Sequence, residues 1–347
     1  MTVRTRALKD FDDAQRLGDL VYTAYGLTYH RSFMYDPHRL LELNQRGQIR
    51  SMLALAGREV VGHIATIRPW FESIPPDVAD APPTAVEIGL SIVHPDHRGR
   101  DLQTAMGLAA LMNERDANPG LRNMFAKCLT LHPRSQRSAR SMLAKSCALL
   151  LGSVPSWVAH ESGERPEPMT TVVLQSACVA GARPLYVPAH RASVVADLVV
   201  DTLLGRQVVP VPAAGPALRG ATKLSRWFEP ARRRGVVHVW EAGEELVADV
   251  LRMVDWLRAG HMEHVAVLLP ADVPGVAAAV PALEEAGLFF GGFLPDLDGR
   301  DVLVVQYLGW DRLDVDGMTL LGDETKLLAD VVVDGWRRSR ATHSLAG

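Results

Sequence analysis

Apolar positions along the chain change period in an order that outlines its elements. Between residues 10 and 25, Leu17, Leu20, Val21 and Tyr25 recur at helical spacing behind Asp10, Asp12, Asp13 and Arg16. A helix with acidic residues near its start is expected there, slightly weakened by Gly18. Residues 51–67 hold two β-rich stretches around Gly57-Arg58-Glu59 and read as a hairpin. After a proline-rich loop at 75–83, residues 86–93 alternate, with Glu87, Gly89, Ser91 and Val93 on one side and apolar residues on the other. That strand runs into a basic turn and then a helical stretch over 104–116, rich in Ala, Leu and Met.

A shorter repeat follows: a strand at 124–131, a helix within 135–151 giving way to a strand near Ala148, a polar loop at about 163–168, and a strand at 170–179. The second half opens near Arg183-Pro184 with a helix at 191–205 ended by Gly205, and 210–220 reads as a loop. Then come a strand at 235–243, a helix at 244–260 capped by Gly260, a strand at 264–270, a helix at 273–287 despite Pro281, and strands at 289–295 and 301–310. The order strand, helix, strand, helix, strand, strand occurs in both halves, which predicts an internally duplicated α/β (α+β) fold, each copy a mixed, mostly antiparallel sheet flanked by helices. The expected domains are 1–181 and 182–340, with a tail at 341–347.

Length supports two domains, since 347 residues exceed the size at which one hydrophobic core stops growing. With 48% apolar and 22% charged residues the composition is that of a soluble globular protein. A formal charge of -3 gives no general attraction to nucleic acid or to an anionic membrane, so any anion site must be local. Cys128, Cys147 and Cys178 form neither a disulfide framework nor a CxxC metal pair and read as small buried hydrophobes. The N-terminal residues carry no apolar run of signal-peptide type and no stretch is long and apolar enough to span a bilayer, so a cytoplasmic protein is expected. His94 and His97 flank Asp96 in a tight turn with poor metal geometry, and no metal is expected. Exposed strand edges leave pairing into a homodimer open.

Chemistry concentrates in one turn. Residues 92–104 carry a strand into Arg98-Gly99-Arg100 and on into a helix through Asp101, Leu102, Gln103 and Thr104. Converging backbone N–H groups, a helix N-terminus and basic side chains together suit a pyrophosphate. This segment resembles the acetyl-CoA motif of the GNAT acetyltransferase superfamily, with Arg98 at the motif's first position and Gly99 and Arg100 behind it. Asp101 and Gln103 depart from the family's small residues, and a carboxylate there is tolerable only if it turns outward or pairs with Arg98 or Arg100. The resemblance extends to 57–66 as the family's second and third strands. It implies that Ser91, Ile92 and Val93 meet the pantetheine arm through main-chain atoms.

Over 135–152 the resemblance implies Ser135 in place of the family's Asn, Met142 in place of its thiolate-protonating tyrosine, and Ser146-Cys147 in place of its Gly-Phe pair. Met142 cannot donate a proton. Glu87 and His63 are the candidate bases for an attacking amine, although Glu87 also reads as a hydrogen-bonded strand residue and His63 as a satisfied sheet histidine. In the second half, 281–308 resembles the family's last helix and its sixth and seventh strands, with Leu283 at the tyrosine position and Gly287-Leu288 at the Gly-Phe position. There the central strand reaches its helix through Gly243-Glu244-Glu245, which would repel a diphosphate. His238 and Glu241 could line a cleft. Arg232-Arg233-Arg234 could meet the CoA 3′-phosphate, a solvated basic turn being the plainer reading.

Together the resemblance implies a tandem GNAT protein that transfers an acetyl or related acyl group from acyl-CoA to a small-molecule amine. A similar tandem layout occurs in clavulanic acid biosynthesis, which implies antibiotic or other specialised metabolism. The alternative is a non-catalytic protein whose acyl-CoA is structural or regulatory.

Overall fold

Alternating apolar residues produce strands with one or both faces buried, and in this chain twelve of them join edge to edge. The computed structural model describes residues 3–29, 31–68, 82–157, 167–177, 181–200, 202, 204–297, 299–310 and 312–344. Its strands are β1 (Val3–Ala7), β2 (Ile49–Ala56), β3 (Glu59–Ile67), β4 (Ala85–Val93), β5 (Asn123–Leu129), β6 (Lys145–Val154), β7 (Met169–Ala177), β8 (Arg183–Pro188), β9 (Arg206–Val211), β10 (Lys223–Glu229), β11 (Arg234–Glu241), β12 (His264–Pro270), β13 (Phe289–Leu297) and β14 (Arg300–Leu308). Its helices are α1 (Phe11–Tyr25), α2 (Pro37–Gln45), α3 (Leu102–Ala117), α4 (Arg134–Ser141), α5 (Ala192–Val199), α6 (Leu246–Ala259), α7 (Pro274–Glu285) and α8 (Asp323–Ser344).

The large sheet runs β1-β2-β3-β4-β5-β7-β6-β13-β14-β12-β11-β10, while β8 and β9 form a separate parallel pair. Among the described residues, only β4–β5 and β11–β12 of the large sheet are parallel. Each parallel pair marks the middle of the same unit: β3-β4-α3-β5-α4-β6-β7 is repeated in chain order as β10-β11-α6-β12-α7-β13-β14, with the same strand neighbours. The mixed α/β architecture expected from the sequence is therefore present.

Corresponding strands β6 and β13 meet at the centre, through the register pair Ala148↔Gly292. Gly292 has φ +118, and a Cβ there would overlap the Cys147 carbonyl oxygen, so only glycine permits this contact. Gln306 on β14 supplies polar links across the junction: its Nε2 donates to Leu149 O at 2.9 Å and its Oε1 accepts from Leu151 N at 3.1 Å. Helix α8 packs on both β6 and β13, and Arg140 of α4 donates to Leu321 O and to Glu324. One apolar cluster consequently runs from Phe125 and Leu149 through Phe290 and Val304 to Val237 and Leu257. Arg206, with a fully buried side chain, and Arg183 both bind Asp296 and Asp301 at the end of the β13–β14 hairpin. Burial pushes the Asp301 pKa up, but hydrogen bonds from Arg183 and Arg206 outweigh it and hold the carboxyl below its usual value.

Several expectations are corrected. The helix expected over 191–205 ends at Val199, where Thr202 Oγ1 takes the Val199 carbonyl at 2.7 Å. The second half opens with β8, and β9 and β10 flank the 212–222 loop. Helix α4 stops at Ser141 and β6 begins at Lys145, ahead of the expected change near Ala148, because Leu143 takes a left-handed turn at φ +62. Residues 341–344, expected as tail, continue α8. Most of the 75–83 and 163–168 loops, and Cys178, lie outside the described residues. Cys128 and Cys147 are buried and free, and burial pushes the Cys128 thiol up to about 12.

Candidate active site

Strand β4 begins as a regular neighbour of β5 and then leaves it. Four register pairs, Ala85↔Asn123 to Ile88↔Ala126, join the two strands, and none follows. The cause is a bulge: Leu90 has φ +52, and the β3–β4 register jumps between Ala65↔Gly89 and His63↔Ile92. The extra residue reverses the parity expected from simple alternation. Val93 packs with Val86, Ile88 and Met106 on the α3 side, whereas Leu90 and Ile92 pack with Leu17 and Leu53 on the α1 side. Glu87 and Val93 therefore do not share a face.

His94 N donates to Val61 O at 2.9 Å, so alternation directs the main chain of Ile92 toward β3 and that of Ser91 and Val93 into the gap where β5 has departed. His63 is fully buried, and its ring links the Leu90 carbonyl, 2.8 Å from Nδ1, to the Ser51 hydroxyl, 3.1 Å from Nε2. Burial lowers its pKa to about 4, partly opposed by the Leu90 carbonyl, so the ring is neutral at pH 7 with Nδ1–H donating to Leu90 and Nε2 accepting from Ser51. Its geometry pins the bulge.

Beyond Val93 the chain makes a 3-10 turn over Pro95–His97 and enters α3 through Arg98, Gly99, Arg100 and Asp101, all exposed. Gly99 has φ +74 and nothing within 4 Å of a Cβ position, and Asp101 is left-handed at φ +55. Asp101 makes no side-chain cap, so its carboxylate does not take up the first N–H groups of α3. Among the described residues, no carbonyl or side chain outside the helix accepts from the N–H groups of Gly99, Arg100, Leu102, Gln103 or Thr104. Arg98 Nε lies 3.3 Å from Val93 O, and Arg100 donates to Asp96 O at 3.3 Å, so both guanidinium groups fold back around the turn. Thr104 Oγ1, 3.3 Å from Ser138 Oγ, joins α3 to α4. Ser135, at the start of α4, has a buried Oγ beside Cys128. Met142 lies against Gly107 of α3, 3.6 Å from a Cβ placed there.

On the α1 side of the gap Glu87 Oε2 is 2.6 Å from Lys127 Nζ on β5, both side chains being mostly buried. Burial lowers the Lys127 pKa to about 8 against the pull of Glu87, and Arg234 and Arg31 push it down as well. Glu87, the register partner of Phe125, thus sits as a paired carboxylate just before β4 and β5 part.

The corresponding place in the second half differs. Gly243, before α6, is pressed against the backbone of Gly220, Ala221 and Thr222, and a Cβ would overlap all three. Glu244 N donates to Gly220 O at 3.0 Å and Gly243 N to Thr222 Oγ1 at 3.2 Å. At the start of α7, a Cβ on Gly275 would come within 2.7 Å of Pro216 O and 2.8 Å of Leu218 Cδ2. The chain's own 212–222 loop therefore lies from α6 to α7 across the equivalent opening. His238 is 1% exposed, stacks on Trp240 at 3.7 Å, and burial brings its pKa to about 3.

Nor is the triple arginine wholly a solvated turn, although Arg233 is exposed. Arg232 and Arg234 are only 6% and 5% exposed, and Arg233 lies over the Trp157 ring of the first half at 5.3 Å. Nothing in the sequence's local pattern signals this contact, because it depends on how the halves meet. Among the described residues no group of three or more His, Cys, Asp or Glu could hold a metal, and no helix is long and apolar enough to cross a membrane.

No protein-family model matches the chain, and no curated protein matches it. Solved structures similar to about half of it include the yncA protein of Salmonella typhimurium, assigned as an acetyltransferase, with its cofactor acetyl-CoA: 17% identity, TM-score 0.40, covering 53% of this chain and 98% of that one. An N-acetyltransferase of Staphylococcus aureus Mu50 has 13% identity and a TM-score of 0.37 over 51% of this chain and 99% of that one. A GNAT-superfamily phosphinothricin acetyltransferase of Sinorhizobium meliloti in complex with acetyl-CoA has 16% identity and a TM-score of 0.37, covering 51% and 89%.

Proposed function

We propose that this chain is an acyl-CoA-dependent N-acyltransferase of GNAT type, made of a catalytic half at 1–181 and a non-binding half at 182–340. The observation that carries the reading is the parting of β4 from β5 after Ile88, on the strand that runs on into the open Arg98–Thr104 turn and just past the Glu87–Lys127 pair. The residues present fit acetyl-CoA: the exposed N–H groups and guanidinium groups suit its diphosphate, and the main-chain groups of Ser91 and Val93 suit its pantetheine arm.

Bound acyl-CoA supplies an activated thioester. Val93 N–H orients the carbonyl oxygen. As the amine nitrogen forms its bond to that carbon and the carbon–sulfur bond breaks, Glu87 takes the proton released from nitrogen, with Lys127 holding the carboxylate in place. The thiolate leaves without a side-chain acid, since Met142 has no proton to give. His63 acts at a distance, as a positioning group for the bulge.

The test is a thiol-release and mass-shift assay with acetyl-CoA and a panel of amines. Transfer by the wild type and loss of at least about 10²-fold in kcat for Glu87→Gln, with acetyl-CoA affinity unchanged, is the expected result. Retained acetyl-CoA without transfer to any amine would instead favour the acyl-CoA-binding protein, a reading that the lack of a hydroxyl at Met142 supports.

A further inference from the structure

The sheet places a nucleophile where two of its strands separate. The register between β4 and β5 ends at Ile88↔Ala126, one residue short of Lys127 on β5 and of Gly89 on β4. Lys127 Nζ lies 2.6 Å from Glu87 Oε2. The other oxygen of that carboxylate, Oε1, stands 3.4 Å from the position a Cβ on Gly89 would take. The ion pair therefore spans the closed end of the gap, with the carboxylate leaning along β4 over a residue that has no side chain. A thioester lying along the Ser91 and Val93 main chain would have this amine at its inner end.

Position and environment both suit Lys127 to attack. Its side chain is only 16% exposed, a carboxylate stands ready to take a proton from it, and β5 is held in place at this point by the register pair Lys127↔Val173 with β7. Burial brings the Lys127 pKa down to about 8 against the pull of Glu87, so about a tenth of the amine is neutral at pH 7. Desolvation is one of the ways in which a lysine becomes a nucleophile. The thiol next along the strand is no rival, because burial pushes Cys128 up to about 12 and keeps it protonated.

We propose that Lys127 is itself an acyl acceptor, a self-acylation site at the closed end of the cleft. This rests on the acyltransferase reading, which supplies the thioester. Lys127 Nζ passes one proton to Glu87 Oε2, and its lone pair forms the new bond to the thioester carbon. The carbon–sulfur bond breaks, and the sulfur leaves with that bond's electrons and takes the second proton from nitrogen. The products are CoA thiol and an Nε-acyl-lysine, and Glu87 returns its proton to water. An amide does not pass its acyl group on, so each chain is modified once.

The experiment incubates the full chain with 13C-labelled acetyl-CoA and follows its five lysines by peptide mass spectrometry. Uncatalysed acetylation favours exposed amines such as Lys223 and Lys326, whose side chains are 67% and 61% exposed. The expected order is the reverse, with label at Lys127 first and at a rate that saturates with acetyl-CoA. At subsaturating acetyl-CoA that rate should fall about tenfold or more in the Arg98→Ala, Gly99→Glu variant, while Lys223 and Lys326 label as before. An unlabelled acetyl group already on Lys127 in the purified wild type, and missing from the double variant, is the same result. Label confined to the exposed lysines, or label at Lys127 that is no faster than at Lys223 and unchanged in the double variant, would overturn the proposal. Calorimetric titration with acetyl-CoA and the amine-panel assay on the same preparation separate the two failures. Binding and amine transfer with Lys127 unlabelled would overturn self-acylation alone, whereas absence of acetyl-CoA binding would overturn the acyltransferase reading and self-acylation with it.

Discussion

The turn before α3 and the turn before α6 occupy matching places in a repeated unit, and they have gone in opposite directions. Before α3 the chain offers Arg98, Gly99 and Arg100 to solvent and leaves the first helix N–H groups open. Before α6 the Gly220 carbonyl takes the Glu244 N–H, while Pro216 and Leu218 fill the space toward α7. The same scaffold thus leaves the turn open in one half and covers it with the chain's own loop in the other. Strand topology alone does not locate a binding site; the contents of the opening do.

The comparison breaks most completely if the open turn is closed. Arg98→Ala with Gly99→Glu places a carboxylate where the diphosphate would sit, and the acetyl-CoA Kd should rise by ~100-fold or more, about 3 kcal/mol, in a protein that still folds. Isothermal titration with a parallel thermal melt separates the two effects. Next in size is Glu87→Gln, whose kcat should fall about 10²-fold while acetyl-CoA affinity holds, as read by steady-state kinetics beside titration.

Alanine at the two glycines sharpens the contrast through stability. Gly99→Ala meets empty space and only the strain of a positive φ, about 1 kcal/mol. Gly243→Ala drives a methyl into the Gly220–Thr222 backbone and should cost about 3 kcal/mol. Urea denaturation of both variants tests the difference, and equal effects would show that the second opening has room to spare.

Acid gives the smallest effect. His63 titrates at about 4 and His238 and His264 at about 3, all lowered first by burial from 6.5. Between those values and 6.5 the unfolded chain binds protons that the folded chain lacks, so stability is complete above about pH 6.5 and declines as pH falls. Each histidine contributes a slope of about 1 kcal/mol per pH unit. Denaturation midpoints at pH 7, 6 and 5 measure it, and a second half richer in such histidines should open first by hydrogen exchange.

Much of this architecture was legible in the sequence because it follows from local period. The α1 helix behind Asp10, the hairpin at Gly57, the helix capped by Gly260 and the helix carrying Pro281 all occur where the apolar spacing puts them. The strands β1, β8, β9 and β10 escaped notice: β1 and β10 are sheet edges and β8 and β9 form the small side sheet, and their half-exposed faces lack a strong alternation. Leu90 hid the bulge, since nothing about a leucine announces φ +52, and one inserted residue reverses every facing assignment after it. The strand, basic turn and helix around 98–100 were legible as local structure because the three are contiguous. The closing of the second cleft by 212–222, and the burial of Arg232 and Arg234, depend on contacts between segments distant in sequence or lying in different halves, and no local pattern encodes those.

The central claim, one open cleft and one closed, is tested most directly by counting bound acetyl-CoA under native mass spectrometry, with the wild type beside the Arg98→Ala, Gly99→Glu double variant. The account predicts one equivalent per chain in the wild type and none in the variant. Two equivalents in the wild type, or one persisting in the folded variant, would contradict it.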